Sequence, residues 1–172
     1  MMPYSPSISA EAMSLLKQGQ DYSFSDSPDY IAAEKCFRKA IEISPKWGEA
    51  FHWLASALQQ QNKLKEACET ARQAIRLLPG DPRPLLSLGY FLVMSAQYAE
   101  AIPFFEEGLN LKPAYAEADA RLGLAEAFEK LGQIEKAIAL WRQIIKMEPS
   151  YPSDEWPMEE AKKKLVEHSL KD

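Results

Sequence analysis

Glycine and strand-forming runs are both scarce in this sequence. Seven glycines among 172 residues are few, and the successive Val, Ile and Thr that build strands are missing. Ala, Leu, Glu, Lys and Gln fill the chain instead, residues that lose little on entering a helix. The expectation is an all-α protein. Cysteine is as rare: Cys36 and Cys68 are too few for a disulfide framework, which makes a cytoplasmic chain with reduced thiols the default. Basic charge is also short. A net charge of −5 argues against a sequence-independent grip on nucleic acid, which needs clustered Lys and Arg. The one basic run, Lys162 to Lys164, stands beside Glu159, Glu160 and Glu167 and reads as a solvated helix face. The opening MMPYSPSISAEAM has no basic segment followed by an apolar core, so no secretory signal is expected.

The groups that catalysis needs are thin. The two histidines, His52 and His168, are far apart in sequence, and Cys36 and Cys68 suit packing better than nucleophilic attack. No glycine-rich phosphate loop, CxxC or HExxH pattern is found. No enzyme activity, cofactor or metal is therefore expected.

One apolar stretch is long. Pro84 to Phe105 covers 22 residues with Glu100 as its single charge, enough on length alone for a membrane-spanning helix. Its meaning depends on the chain's periodicity. Four prolines close four similar phrases, KAIEISP, QAIRLLP, EGLNLKP and QIIKMEP, at Pro45, Pro79, Pro113 and Pro149, spaced by 34, 34 and 36 residues. Upstream of each proline, residues recur at helical spacing: Ala33, Phe37 and Ala40; Ala67, Ala71 and Ala74; Ala101, Phe105 and Gly108; Ala137, Trp141 and Ile144. Small residues at these places let a second helix approach closely. Leu54-Ala55 and Leu88-Gly89 stand 12 residues ahead of Ala67 and Ala101, whereas Gly19 to Ala33 and Gly123 to Ala137 are 14 apart. The outer copies thus carry two extra residues, expected in DSPD (residues 26–29) and near FEKLG (residues 128–132).

On these residues the chain resembles the tetratricopeptide-repeat family, whose unit reads W-x2-L-G-x2-Y…A-x3-F…P. Leu85, Leu88, Gly89, Leu92, Ala101, Phe105 and Pro113 fill those slots in the third copy, and Phe51, Leu54, Ala55, Leu58, Ala67, Ala71 and Pro79 in the second. Leu15, Gly19, Tyr22, Ala33, Phe37 and Pro45 fill them in the first. The fourth has two registers open, Leu122-Gly123 or a shift of two to Leu124, Ala125 and Phe128. The resemblance implies a right-handed α-solenoid of four helix-turn-helix repeats, at about 10–45, 48–79, 82–113 and 116–149. A capping helix at about 154–170 completes one domain over residues 1–172. Ser153 or Asp154 would start that helix, and Trp156, Leu165, Met158 and Val166 would pack it down. The long apolar stretch then becomes two helices broken near Ser95-Ala96-Gln97. It is not a membrane span.

The resemblance also implies a concave groove lined by first helices and holding a partner's peptide or helix. Family spacing places Leu16, Gln20 and Phe24 there from the first copy, and Glu49, His52 and Trp53 from the second. The third copy gives Arg83, Leu86, Tyr90 and Met94, and the fourth Leu124 and Phe128. Some family members clamp a carboxylate tail with Lys, Asn, Asn, Lys and Arg. The corresponding Leu16, Gln20, Trp53, Arg83 and Ser87 keep that chemistry only at Arg83, so no such clamp is expected. Aromatic and Met side chains suit an apolar or amphipathic protein ligand. A non-catalytic interaction scaffold is the function expected. A small acidic chaperone for a secreted or membrane-inserting client, and a self-assembling subunit that forms homo-oligomers, are the alternatives. The amino-terminal segment with Tyr4 and Ile8 is apolar enough to fold back into the groove.

Overall fold

A computed structural model describes residues 8–113, 116–149 and 152–169. These residues are all-α: none of them forms a strand. The chain divides into two compact units, Met1–Pro79 and Gly80–Asp172. The first holds α1 (Ala10–Ser23), α2 (Tyr30–Ile43), α3 (Gly48–Gln60) and α4 (Leu64–Leu77). The second holds α5 (Pro82–Met94), α6 (Tyr98–Asn110), α7 (Glu117–Lys130), α8 (Ile134–Ile144), a 3-10 turn (Pro152–Asp154) and α9 (Glu155–Ser169).

In the first unit α1 pairs with α2 and α3 with α4, while α2 packs on α3. The small residues of the repeat make this possible. Ala33, Phe37, Ala40, Ala55, Ala67 and Ala74 are fully buried, and a Cβ at Gly19 would lie 2.4 Å from the Phe37 ring. Caps fix where the helices begin: Ser9 accepts from the Ala12 amide, and Asp29 from those of Ile31 and Ala32. Asp29 closes a loop of six residues after Ser23, which contains DSPD, the expected place of the first copy's insertion.

The second unit repeats the pattern. Asp81 caps α5 and Pro82 takes its first position, where no amide donor is needed. The helix stops at Ser95-Ala96-Gln97: Ala96 adopts φ +56°, and the Gln97 amide donates back to the Leu92 carbonyl. Asn62 at φ +59° and Gly132 at φ +73° make the same turn after α3 and α7. The apolar stretch is therefore two helices, and no helix among the described residues is long and apolar enough to cross a membrane. Pro103 falls sixth in α6, past the first turn, so Ala99 loses the amide that would bond its carbonyl.

Two expectations change in the second unit. Only Leu131, Gly132 and Gln133 separate α7 from α8, the same length of turn as after α3 and α5, so FEKLG holds no insertion. The two extra residues lie between Pro113 and Ala125. Ala125, fully buried and 12 residues ahead of Ala137, takes the slot of Ala55 and Gly89, which selects the shifted register for the fourth repeat. Gly123 then serves a different contact. Its Cα sits against Phe105 and Tyr90, where a Cβ would be 2.7 and 2.9 Å from the two rings.

The packing of α9 also differs from expectation. Pro157, Ala161 and the side chains of Lys164 and His168 form its inward stripe, while Trp156 is 62% exposed and Val166 also faces solvent. His168 stacks on Trp141 with ring centroids 5.3 Å apart. Glu129 of α7 accepts from His168 Nε2 at 2.9 Å and from Lys164 Nζ at 3.1 Å. Burial pushes the Glu129 carboxyl up, but these two hydrogen bonds outweigh it and hold it below the usual carboxylate range. α9 is docked by a stacked ring and an ion pair, a pattern that apolar periodicity does not reveal. The Ser153 side chain and Leu170 lie outside the described residues, as does the segment with Tyr4.

Candidate functional site

In the first unit, Phe24 ends α1 and stands 72% exposed. Its ring meets Trp53 of α3 edge-on, with centroids 5.5 Å apart and planes at 90°. Trp53 is half-buried, and its indole N–H donates to Glu49 Oε1 at 3.0 Å, one turn earlier on the same helix. That bond fixes the indole and leaves an aromatic face beside Phe24. Gln20 is half-buried, one turn before Phe24. Leu16 and His52 are buried, so as they stand they serve packing and offer a partner no surface. His52 adds a ring contact to Trp53 at 5.6 Å.

In the second unit the expected groove residues separate in the same way. Met94 is 52% exposed at the end of α5. Arg83 is half-buried, and its guanidinium grips the cap of its own helix, with Nη2 2.6 Å from Asp81 Oδ2 and Nε 3.1 Å from Oδ1. The single clamp-type cation is thus already neutralised. Leu86, Leu124 and Phe128 are buried: Leu86 fills the space over Gly108, and Phe128 lies beneath Lys136 Nζ at 4.9 Å. All three are part of the buried core.

Tyr90 also differs from expectation. It packs on Gly123 and sits edge-on to Phe105 at 5.0 Å. Its hydroxyl is buried without a hydrogen-bond partner among the described residues. Burial, and then the charge of Asp119, push the phenol well above its ordinary range. Asp119 is itself pushed up by burial and then by Asp154, which is buried in the 3-10 turn. No sequence pattern hints at this polar group, because its members come from α5, α7 and the turn. An aspartate at Tyr90 would bury a charge beside Phe105, so such a variant reports on folding before binding.

Among the described residues no group of three or more His, Cys, Asp or Glu could hold a metal ion. Burial pushes the Cys36 thiol up, so it stays a thiol and a poor nucleophile. The arrangement is that of a repeat scaffold: small residues that let helices pair, and a few aromatic and polar side chains left exposed or half-exposed on first helices. That class is the protein-interaction scaffold.

The chain belongs to the tetratricopeptide-repeat family. Models described as tetratricopeptide repeat match residues 24–46, 48–81 and 92–153. The small glutamine-rich tetratricopeptide repeat-containing protein 2 of Mycosarcoma maydis is 31% identical over 103 residues, covering 60% of this chain and 29% of that protein. Among solved structures, MamA from Desulfovibrio magneticus superposes with a TM-score of 0.75 at 17% identity, covering 93% of this chain and 94% of that one. An O-GlcNAc transferase of Thermobaculum terrenum superposes with a TM-score of 0.66 at 24% identity, covering 81% of this chain and 27% of that one. Both are likenesses of fold. The chain spans less than a third of the length of the curated relatives it matches.

Proposed function

We propose that the protein is a non-catalytic adaptor that binds an apolar or amphipathic peptide or helix of a protein partner on the face of its first helices. The observation that carries this reading is the Phe24–Trp53 pair. A phenylalanine 72% exposed beside an indole already satisfied by Glu49 offers apolar area at no further polar cost. Gln20 and Glu49 flank the pair with polar groups, and Met94 and Arg83 are the corresponding contacts proposed for the second unit. Leu16, His52, Leu86, Leu124 and Phe128 are buried and Tyr90 packs on Phe105, and all six belong to first helices of the repeats. Since the contact is apolar, salt should weaken binding little. A cytoplasmic setting fits two buried cysteines that form no disulfide.

The test is a pull-down from the source organism's lysate with wild type and with Phe24→Ser plus Trp53→Ala. The double variant should fold, as judged by circular dichroism, and lose the retained protein by a hundredfold or so, as two aromatic anchors at about 1–2 kcal/mol each imply. A partner held equally by both proteins would place binding elsewhere.

A further inference from the structure

A cleft of about 380 Å³ opens among α2, α3 and α4 of the first unit and shares no lining residue with the Phe24–Trp53 pair. Its apolar part is Ile41, Phe51 and Leu54, the first two half-buried and the third buried. Glu42 and Glu69 stand along it, exposed and without an ion pair to any described residue. Arg38 also reaches the cleft, but its guanidinium is committed to Glu34 and Glu66. Thr70, only 9% exposed, lines the same cleft. An apolar patch, two carboxylates without an ion pair and a polar threonine thus share one concave place.

We propose that this cleft docks a basic, amphipathic segment of a protein partner, independently of the first-helix face. An aliphatic side chain of the partner seats on Ile41 and Phe51. Lysine or arginine on the next turn of the partner reaches Glu42 and Glu69, its stem lying along the apolar patch and its charge at the rim. Thr70 accepts a hydrogen bond from the same cation. An acidic segment would meet like charge there.

The probe is a labelled helical peptide of leucine, alanine and lysine, followed by fluorescence anisotropy at low salt. Glu42→Gln plus Glu69→Gln should weaken its binding about fivefold, two surface ion pairs' worth. Glu106→Gln plus Glu107→Gln on α6, carboxylates that are also exposed, should leave it unchanged, as should Phe24→Ser plus Trp53→Ala. The same peptide with glutamate for lysine should not bind. Equal weakening in the α6 variant would show diffuse charge attraction and overturn the proposal. So would loss confined to the Phe24 and Trp53 variant, no change in the cleft variant, or no binding of the basic peptide.

Discussion

Phe105→Ala will destabilise the second unit by about 3–5 kcal/mol, the cost of removing a fully buried phenylalanine from a core that cannot collapse around the gap. The ring has 0% exposure and is enclosed by backbone as much as by side chains. Gly89 and Gly123 approach it so closely that a Cβ on either would sit 2.9 or 2.7 Å from the ring, and Tyr90 stands edge-on at 5.0 Å. Helix backbones cannot move in as a flexible side chain would, so the cavity stays. Urea unfolding followed by circular dichroism measures the loss. Met94→Ala on α5, truncating a half-exposed side chain, should cost less than about 1 kcal/mol. Equal losses for the two variants would mean that Phe105 is not the centre of this packing.

The first unit will lose stability as pH falls from about 4.5 toward 2, and Glu34 will account for most of the slope. Burial alone would push its carboxyl up. Lys63 Nζ and Gln61 Nε2, each 2.8 Å from Oε2, and Arg38 Nε, 2.8 Å from Oε1, outweigh burial and bring it down from 4.5 to about 2. A carboxyl depressed in the folded state adds stability above its unfolded pKa. That stability disappears as pH falls through the folded value. The shift sets an upper bound of about 3.5 kcal/mol, since one pKa unit is worth about 1.4 kcal/mol. Glu34→Gln should lower stability near neutral pH and flatten the acid limb. Comparing wild type with this variant isolates Glu34 from Glu129, which is depressed in the same direction in the other unit. An acid limb unchanged by the substitution would show that these three bonds add nothing.

Glu34 also illustrates where the sequence ran out. The repeat itself was legible, because Ala33, Phe37, Ala67 and Phe105 recur at a fixed period and each is buried. The turn at Ser95-Ala96-Gln97 and the cap at Asp81 were legible as local chemistry. Contacts between distant residues were not. Glu34 meets Gln61 and Lys63, and Glu129 meets His168, across 27 to 39 positions that no periodicity links. The shifted register of α7 had the same cause: Leu122-Gly123 matches the motif locally, but Gly123 answers to Phe105 and Tyr90 rather than to Ala137. At the candidate site, spacing located the first helices but could not distinguish the packed side from the open one. Leu86 and Tyr90 fell on the packed side and Phe24 and Met94 on the open one.

The claim that the first-helix face receives the partner can be tested at the indoles themselves. Trp47 and Trp53 lie in the first unit, Trp141 is buried in the second, and Trp156 is exposed on α9. Protein labelled with 5-fluorotryptophan gives one ¹⁹F resonance for each, assigned by single Trp→Phe replacements. On titration with the captured partner, the Trp53 resonance should shift while those of Trp141 and Trp156 hold. A shift at Trp156 with Trp53 unmoved would contradict the account and place the partner on α9.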